Sequence, residues 1–389
     1  METCDVLIVG GGPGGATCAR KLHQAGLDVI VLDKATFPRD KVCAGWITPA
    51  ILDELRLDPA DYAAGRVFQP IRAFLVGAIG GRMISLDYPR PVSYGIRRAE
   101  FDHYLLQRSG ARLRLGEPLR SLERSKDVWL VNDRYRTPML VGAGGHFCPV
   151  AQRLGDDTPL VQPLVAAQEI EFPLDDRQQA ECPVEGARPE LYFCRDLAGY
   201  GWCFRKGRYL NVGMGREDRQ KLSQHVGEFW RFLQDRGRVP RDSPDKFRGH
   251  AYLLYEHSRR KLLDDGILLV GDAAGLAYTQ SGEGIRPAIE SGLLAAGVIV
   301  RAARDYRRWR LEPYAERIRS RFGKRRWREG GGGPTIAGWQ QFLGERLLGS
   351  RWFVRHVVVQ RWFLHAGQPI LERECCLEET PWSELEPAS

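Results

Sequence analysis

The sequence of 389 residues predicts an α/β fold, with a doubly wound βαβ cofactor-binding domain, an inserted β-rich lobe and a helical C-terminal extension. Three observations predict it. An apolar strand runs through a glycine turn into a helix over residues 6–19, the next strand ends on Asp33, and the strand-turn-helix texture returns at residues 266–285 after a long β-rich interval.

The first stretch is Val6-Leu-Ile-Val-Gly10-Gly-Gly12-Pro13-Gly14-Gly15. Gly10 permits a tight turn, Gly12 lets the backbone approach a pyrophosphate, and Gly15 lets helix and strand pack closely, so that free N–H groups and the positive dipole end face phosphate. Asp33 stands 23 residues after Gly10, where an acceptor for ribose hydroxyls is expected. A glycine pattern alone is weak evidence. Strand, glycines, helix, second strand and terminal acid together read as a dinucleotide cradle, without separating NAD from FAD.

Composition bounds the rest. A chain with 43% hydrophobic residues buries a large core and has room for two or three lobes. It has no apolar run of about eighteen residues, and Met-Glu-Thr-Cys-Asp before the first strand is not a basic leader, so the expectation is a cytoplasmic protein. Nine cysteines without framework or metal spacing, Cys375 and Cys376 being adjacent, read as reduced thiols with no metal site. The net charge of +8 is attracted to anionic surfaces, but it is unevenly spread.

After Asp33, a loop from Lys34 to Pro49 carries Arg39, Lys41, Cys43, Ala44 and Gly45 and can reach back over a bound cofactor. Arg39 is the better phosphate partner, since a guanidinium grips bidentately; solvated surface charges would look the same in sequence. Residues 71–76 and 82–86 read as a hairpin around Gly77–Gly81, and Phe101, Leu105 and Leu106 share a helical face with Arg98 at the start. Strands at 112–115, 128–131 and 134–137 lead to another strand and glycine turn, with Gly142, Ala143, Gly144 and Gly145, followed by Cys148.

From residue 161 to about 255 the texture is β-rich, with one amphipathic helix near 219–236. By period two, Tyr200, Trp202 and Phe204 share a strand face, either as plain core or as the wall of a site. The chain then returns to strand and turn at Gly271-Asp272, and Gly282-Glu283-Gly284-Ile285 opens a long apolar helix through Val300. A carboxylate at a strand end suits a ribityl hydroxyl, and a helix start near Gly284 suits negative charge on a reduced flavin ring. That second motif points to FAD.

With these residues in place, the chain resembles the geranylgeranyl-reductase branch of the FAD-dependent oxidoreductases, within the aromatic-hydroxylase-like flavoprotein superfamily, over roughly residues 5–300. The motifs are Gly10-x-Gly12-x-x-Gly15 with Asp33, residues 37–43, Arg98 before Phe101-Asp102, residues 271–275 and residues 282–285. The resemblance implies that Arg39 and Arg98 lie along FAD, that Asp272 meets the ribityl chain, and that Gly282, Glu283, Gly284 and Ile285 lie at the isoalloxazine ring. The stretch from Tyr200 to Gly213 resembles the branch's Tyr-x-Trp-x-Phe-Pro-Lys-Gly signature, with Arg205 in place of proline. Ala143-Gly144-Gly145 stands where the family usually has Ala-Asp-Gly, and Thr279 where a proline precedes the ring loop. Flavin halogenases carry a Trp-x-Trp-x-Ile-Pro pattern there, from which Tyr200 and Phe204-Arg205 depart.

Between residues 301 and 330 there are twelve Arg or Lys against four acids, an excess equal to the whole chain's +8. Trp309, Trp327, Trp339, Trp352 and Trp362 interleave with this material, as they would in a segment lying on an anionic membrane at its inner face; a solvated helical lobe is the bland alternative. Nucleic acid is disfavoured, since no binding motif accompanies the charge. Residues 330–334 form a glycine-proline break.

The division expected is 1–160 for the first part of an FAD-binding domain (71–96 contributing to the second lobe), 161–265 for a β-rich substrate lobe, 266–300 for the rest of the FAD-binding domain and 301–389 for the basic extension. The expected activity is reduction of carbon–carbon double bonds in a lipophilic, prenyl-like substrate by hydride from reduced flavin, with NAD(P)H or a reduced electron-carrier protein as donor. The alternatives are a monooxygenase acting on an aromatic or polyketide-like substrate, and a non-catalytic lipid-binding protein on the same fold. Cys43, Tyr200 and Trp202 are the candidate catalytic residues, Cys43 as a thiol that protonates the alkene carbon or forms a redox pair with Cys148.

Overall fold

The computed structural model describes residues 1–155, 164–217, 221–325, 344 and 346–371, and four sheets organise them. One sheet has six strands in the order Leu263–Asp264, Ile267–Leu269, Met139–Gly142, Val6–Val9, Val29–Asp33 and Arg112–Leu115. Its pairings are parallel except at the Leu263–Asp264 edge. Val6–Val9 and Val29–Asp33 are unbroken apolar runs up to the terminal acid because both faces of a parallel sheet are covered, and every residue of the two strands is buried.

Two helices cross tightly over this sheet, the glycine-loop helix Pro13–Gln24 and the long helix Ile285–Arg301. A Cβ on Gly292 would lie 2.4 Å from the Gly14 carbonyl oxygen, and one on Gly14 would lie 2.9 Å from that of Ala288. The crossing therefore depends on two residues without side chains. It ties the N-terminal cradle to the second glycine motif, 270 residues later in the chain, as one rigid unit.

The second large sheet has seven strands, in the order Arg248–Leu253, Leu164–Pro173, Tyr209–Arg216, Gly199–Lys206, Glu190–Phe193, Ala73–Ala78 and Met83–Asp87. The early hairpin joins it through a parallel pairing of Ala73–Ala78 with Glu190–Phe193. Ser93–Ile96 instead pairs with Trp46–Ile47 and Phe68–Ile71 in a three-stranded sheet. Helix Leu222–Asp235 covers one face of the seven-stranded sheet with Val226, Phe229, Trp230 and Leu233.

The described residues after 301 pack onto both large sheets. Helix Arg308–Phe322 buries Leu311, Tyr314 and Ile318 in the cofactor-side core, and Tyr314 Oη donates to the Leu269 carbonyl oxygen at 2.6 Å. Arg351–Phe353 continues into Val354–Phe363, which is wound with π-type hydrogen bonding and sends Val354, Val358, Val359 and Phe363 into the core of the seven-stranded sheet. The charge of the basic stretch is partly consumed by pairs: Arg304 with Asp5 at 3.0 Å, Arg307 with Asp305 at 2.7 Å and Arg321 with Glu290 at 2.5 Å. Trp309 and Trp352 are exposed, and Trp362 is half-buried. Trp327, Trp339, Glu329, the 330–334 break, Cys375 and Cys376 lie outside the described residues. Among the described residues, no helix is long and apolar enough to cross a membrane.

Candidate active site

A cavity of about 610 Å³ is lined from both large sheets. Every site residue expected from the sequence lines it except Gly15 and Gly142. Those two act through packing. A Cβ on Gly15 would lie 1.9 Å from the Gly10 carbonyl oxygen, and one on Gly142 would lie 2.6 Å from Leu269 and 2.9 Å from Val150.

At one end of the cavity is the glycine cradle. Gly10 has φ +115°, and a Cβ there would meet the Ala143 backbone at 2.4 Å. Gly12 is the N-cap of helix Pro13–Gln24, whose start has no side-chain cap, so its first N–H groups are left for a ligand. The one neighbour of the space before Gly12 is Arg39 Nη2, at 3.6 Å. Asp33 accepts from Gly11 N–H at 2.7 Å and Ala35 N–H at 2.8 Å, one bond to each carboxylate oxygen, and each oxygen keeps acceptor capacity for a hydroxyl. Lys34 and Ala44 complete this side of the lining.

Asp102, which is fully buried, orients both expected arginines. Arg98 donates to it bidentately, with Nε and Nη2 each 2.8 Å from a carboxylate oxygen, and Arg39 Nη1 lies 3.3 Å from the same carboxylate. That pairing raises the Arg98 pKa against the lowering by burial. Arg39 Nη1 is buried and makes no hydrogen bond, so a cationic donor stands unsatisfied beside the cradle. An uncapped helix start, a ribose-type acceptor and an orphaned guanidinium N–H fit the phosphates and ribose of FAD.

At the other glycine motif, Asp272 is the end of a row. Its Oδ2 lies 3.4 Å from His250 Nε2, and His250 Nε2 lies 2.8 Å from Lys41 Nζ. Burial pushes the Asp272 pKa up, but the His250 hydrogen bond and the Lys41 charge outweigh it and hold the carboxyl down at about 2. Burial lowers both basic partners, Lys41 to about 8. Asp272 is therefore a fixed carboxylate acceptor at any working pH. Gly282, at φ +68°, has no room for a side chain, since a Cβ would lie 2.2 Å from Tyr252 Oη.

Beneath the Cys43 loop lies a polar network built from distant strands. Glu169 accepts from the Cys43 N–H, and Asn211 Nδ2 donates to the Cys43 carbonyl oxygen at 3.2 Å. Lys206, fully buried, lies 2.5 Å from Glu171 and donates to the Ala44 and Ile96 carbonyl oxygens at 3.0 Å each. Burial pushes the Glu169 carboxyl up to about 8. Cys43 and Cys148 are both free thiols; Cys43 lines the cavity, whereas Cys148 is fully buried and absent from its lining.

The wall opposite the cradle is aromatic and apolar. Trp46, Leu191, Tyr200, Trp202, Tyr252 and Phe363 line it, and the Phe363 ring packs edge-on against Tyr200 at 5.1 Å and Trp46 at 5.6 Å. Tyr200 Oη donates to the Ser281 carbonyl oxygen at 2.5 Å and Trp202 Nε1 donates to Asn211 at 2.7 Å, so both polar hydrogens are committed to the protein. Neither residue is placed to move a proton; they present ring surface. Phe204, on the same strand face, is buried against Trp46 and does not line the cavity.

Sequence reasoning missed Glu169, Glu171, Asn211, His250, Tyr252 and Phe363. His250 follows a strand signal and Tyr252 shares its period-two face, which was the available hint. Phe363 had none.

Comparisons with known proteins agree with this geometry. An FAD binding domain model matches residues 3–63. The chain is 26% identical over 342 residues to the digeranylgeranylglycerophospholipid reductase of Methanocaldococcus jannaschii, covering 84% of this chain and 83% of that one. It is 27% identical over 319 residues to the menaquinone reductase of Mycobacterium tuberculosis, covering 77% of each. The solved structure of a geranylgeranyl bacteriochlorophyll reductase-like protein from Thermoplasma acidophilum has the same fold, with a TM-score of 0.71 at 22% identity over 90% of this chain and 88% of that one. A flavin cradle, a matching FAD binding domain model and relatives named as reductases that span most of their own length converge: the chain is an FAD-dependent oxidoreductase, similar to proteins named as geranylgeranyl reductases.

Proposed function

We propose that this enzyme reduces carbon–carbon double bonds of a prenyl lipid. The observation that carries the reading is one cavity lined both by an FAD cradle and by a set of apolar aromatic side chains. The relatives named for a digeranylgeranyl phospholipid and for menaquinone support it. When bound and reduced, FAD supplies hydride to an alkene carbon. The protein's part is to hold the phosphates with the helix start and Arg39, to fix the ribityl side with Asp272, and to lay the prenyl chain on Tyr200, Trp202 and Phe363 with water excluded. Cys43 is the proposed contact at the reacting bond, on a loop fixed by Glu169 and Asn211. The donor is NAD(P)H or a reduced carrier protein.

The test is anaerobic reduction of the purified holoenzyme followed by mixing with a prenyl lipid. The expected result is lipid-dependent reoxidation at the flavin bands without oxygen and a product richer by two hydrogens. Reoxidation that requires oxygen, with an oxygen atom gained by the product, would replace the reading with hydroxylation. Cys43→Ala is expected to keep FAD and its reduction at the parent level and to slow lipid-dependent reoxidation; reoxidation at the parent rate would leave Cys43 as packing.

The second part of the proposal is peripheral contact with an anionic bilayer through Trp309. This exposed ring is flanked by the guanidinium groups of Arg310 at 4.3 Å and Arg307 at 5.5 Å. Binding to anionic vesicles at low salt is expected to fade as salt is added and to weaken in Trp309→Ala. Equal partitioning onto neutral and anionic vesicles would sink it.

A further inference from the structure

Glu283 and His365 stand in the wall between two cavities. Glu283 lines the FAD-side cavity, whereas His365, just after the Val354–Phe363 helix, lines a separate cleft of about 1140 Å³ among the described residues. Glu283 Oε2 and His365 Nε2 are 3.5 Å apart, and their side chains are 7% and 10% exposed. Apart from the Arg286 backbone N–H, which points at the Glu283 carboxyl, the Glu283 oxygens and His365 Nε2 are buried without a close hydrogen-bond partner. Buried polar atoms left with so few partners are costly to keep, so chemistry is the better account of their retention than packing.

The surroundings keep the pair in place without quenching it. The His365 ring stacks on Tyr278 at 3.8 Å, and Tyr278 Oη donates to Gln368 at 2.5 Å. Arg286 and Arg321 face the pair from two helices but are engaged by Glu290, at 2.7 Å and 2.5 Å, with Glu54 next to both. Tyr200 faces Glu283 from the aromatic wall. Among the described residues, no Lys or Arg side chain is within ion-pair distance of Glu283, and His365 is its titratable neighbour there. Burial pushes the Glu283 carboxyl up to about 8, so it holds a proton at neutral pH. Burial, with Arg286 and Arg321 nearby, holds His365 down at about 4, so it is neutral and carries an extra proton only in transit.

We infer that Glu283 and His365 relay protons from the cleft into the reaction cavity. The inference rests on the reductase reading, in which each double bond takes a hydride at one carbon and needs a proton at the other. Glu283 releases its carboxyl proton into the cavity and is left as carboxylate. His365 then gives its Nε2 proton to Glu283 while Nδ1 takes one from water in the cleft; the hydroxide left there is neutralised by bulk solvent, and proton exchange with the cleft returns the imidazole to its Nε2–H form, so the net source of the proton is solvent. Placing the proton store in the wall lets the cavity stay dry while it is refilled from outside.

Two measurements test the relay. In the protein stripped of FAD, infrared titration should show a protonated carboxyl band at pH 7 that disappears in Glu283→Gln and titrates at a different pH in His365→Asn. In the holoenzyme, with FAD content and the rate of flavin reduction measured separately for each variant, Glu283→Gln should slow lipid-dependent reoxidation on the order of 10²-fold beyond any change in those two. His365→Asn should slow it less and be rescued by added imidazole. A band absent at pH 7, or one unmoved by His365→Asn, overturns the relay. A parent enzyme that never reoxidises with lipid overturns the reductase reading, and the infrared result still decides whether Glu283 and His365 form a coupled proton pair.

Discussion

Lys206→Met is expected to lower the stability of the folded protein by about 3–5 kcal/mol, the cost of breaking a buried ion pair from one side. Lys206 is fully buried, and its ammonium serves three acceptors at once: Glu171 at 2.5 Å and the carbonyl oxygens of Ala44 and Ile96 at 3.0 Å. Methionine fills the volume and satisfies none of them. Glu171 keeps Arg97 at 2.9 Å and Asn211 at 3.2 Å, so its charge is not abandoned, but two backbone carbonyls of the Cys43 loop and its neighbouring strand lose their donor. The loop also depends on close approach, since a Cβ on Gly45 would lie 2.7 Å from Lys206 Nζ. Urea unfolding would show a lower midpoint with an unchanged slope. Adding Glu171→Gln should return part of the loss by removing the under-compensated charge. A loss below about 1 kcal/mol, the range of an exposed pair, would mean the network does not hold the loop.

This network also marks the boundary of what the sequence could tell. The cradle was legible because its parts are local: Gly10, Gly12, Gly15 and Asp33 act within two strands and one turn, and the close backbone approach at Gly10 and Gly15 leaves no room for a side chain. The second motif was legible for the same reason, as a strand end and a helix start. The Cys43 loop is held by Glu169 and Asn211, residues 126 and 168 positions away, and nothing local distinguishes such carboxylates and amides from surface ones. Period two correctly put Tyr200 and Trp202 on one face, but not the commitment of their polar hydrogens to Ser281 and Asn211, which removes them from proton transfer. The C-terminal segment was read by its charge. Val354, Val358 and Phe363 do not keep an α-helical spacing over a π-wound stretch, so the face that covers the cavity was hidden from a period of 3.6.

Gly15→Ala is expected to yield protein without flavin, although Gly15 does not touch the cavity. A Cβ at this position would sit 1.9 Å from the Gly10 carbonyl oxygen and 3.1 Å from the Ala143 side chain, and the first of these is backbone that cannot rotate away. The helix must move outward or the Gly10 turn must open. Outward motion is itself resisted, because the same helix is locked against Ile285–Arg301 through Gly14 and Gly292. Strain of this kind costs about 1–3 kcal/mol of stability. The larger effect falls on FAD, whose phosphates need the uncapped N–H groups at the start of Pro13–Gln24 in register with Arg39. Binding at least about tenfold weaker corresponds to 1.4 kcal/mol, less than the strain itself at its upper end. The comparison is Gly227→Ala, in the interior of Leu222–Asp235, where a Cβ meets nothing within 4 Å and alanine should be neutral or stabilising by about 0.5–1 kcal/mol. Flavin content after purification and titration of the stripped protein with FAD measure the difference. Parent-level FAD affinity in Gly15→Ala would mean that the cradle can relax around a side chain, and that the close helix-strand contact is not what positions the phosphate site.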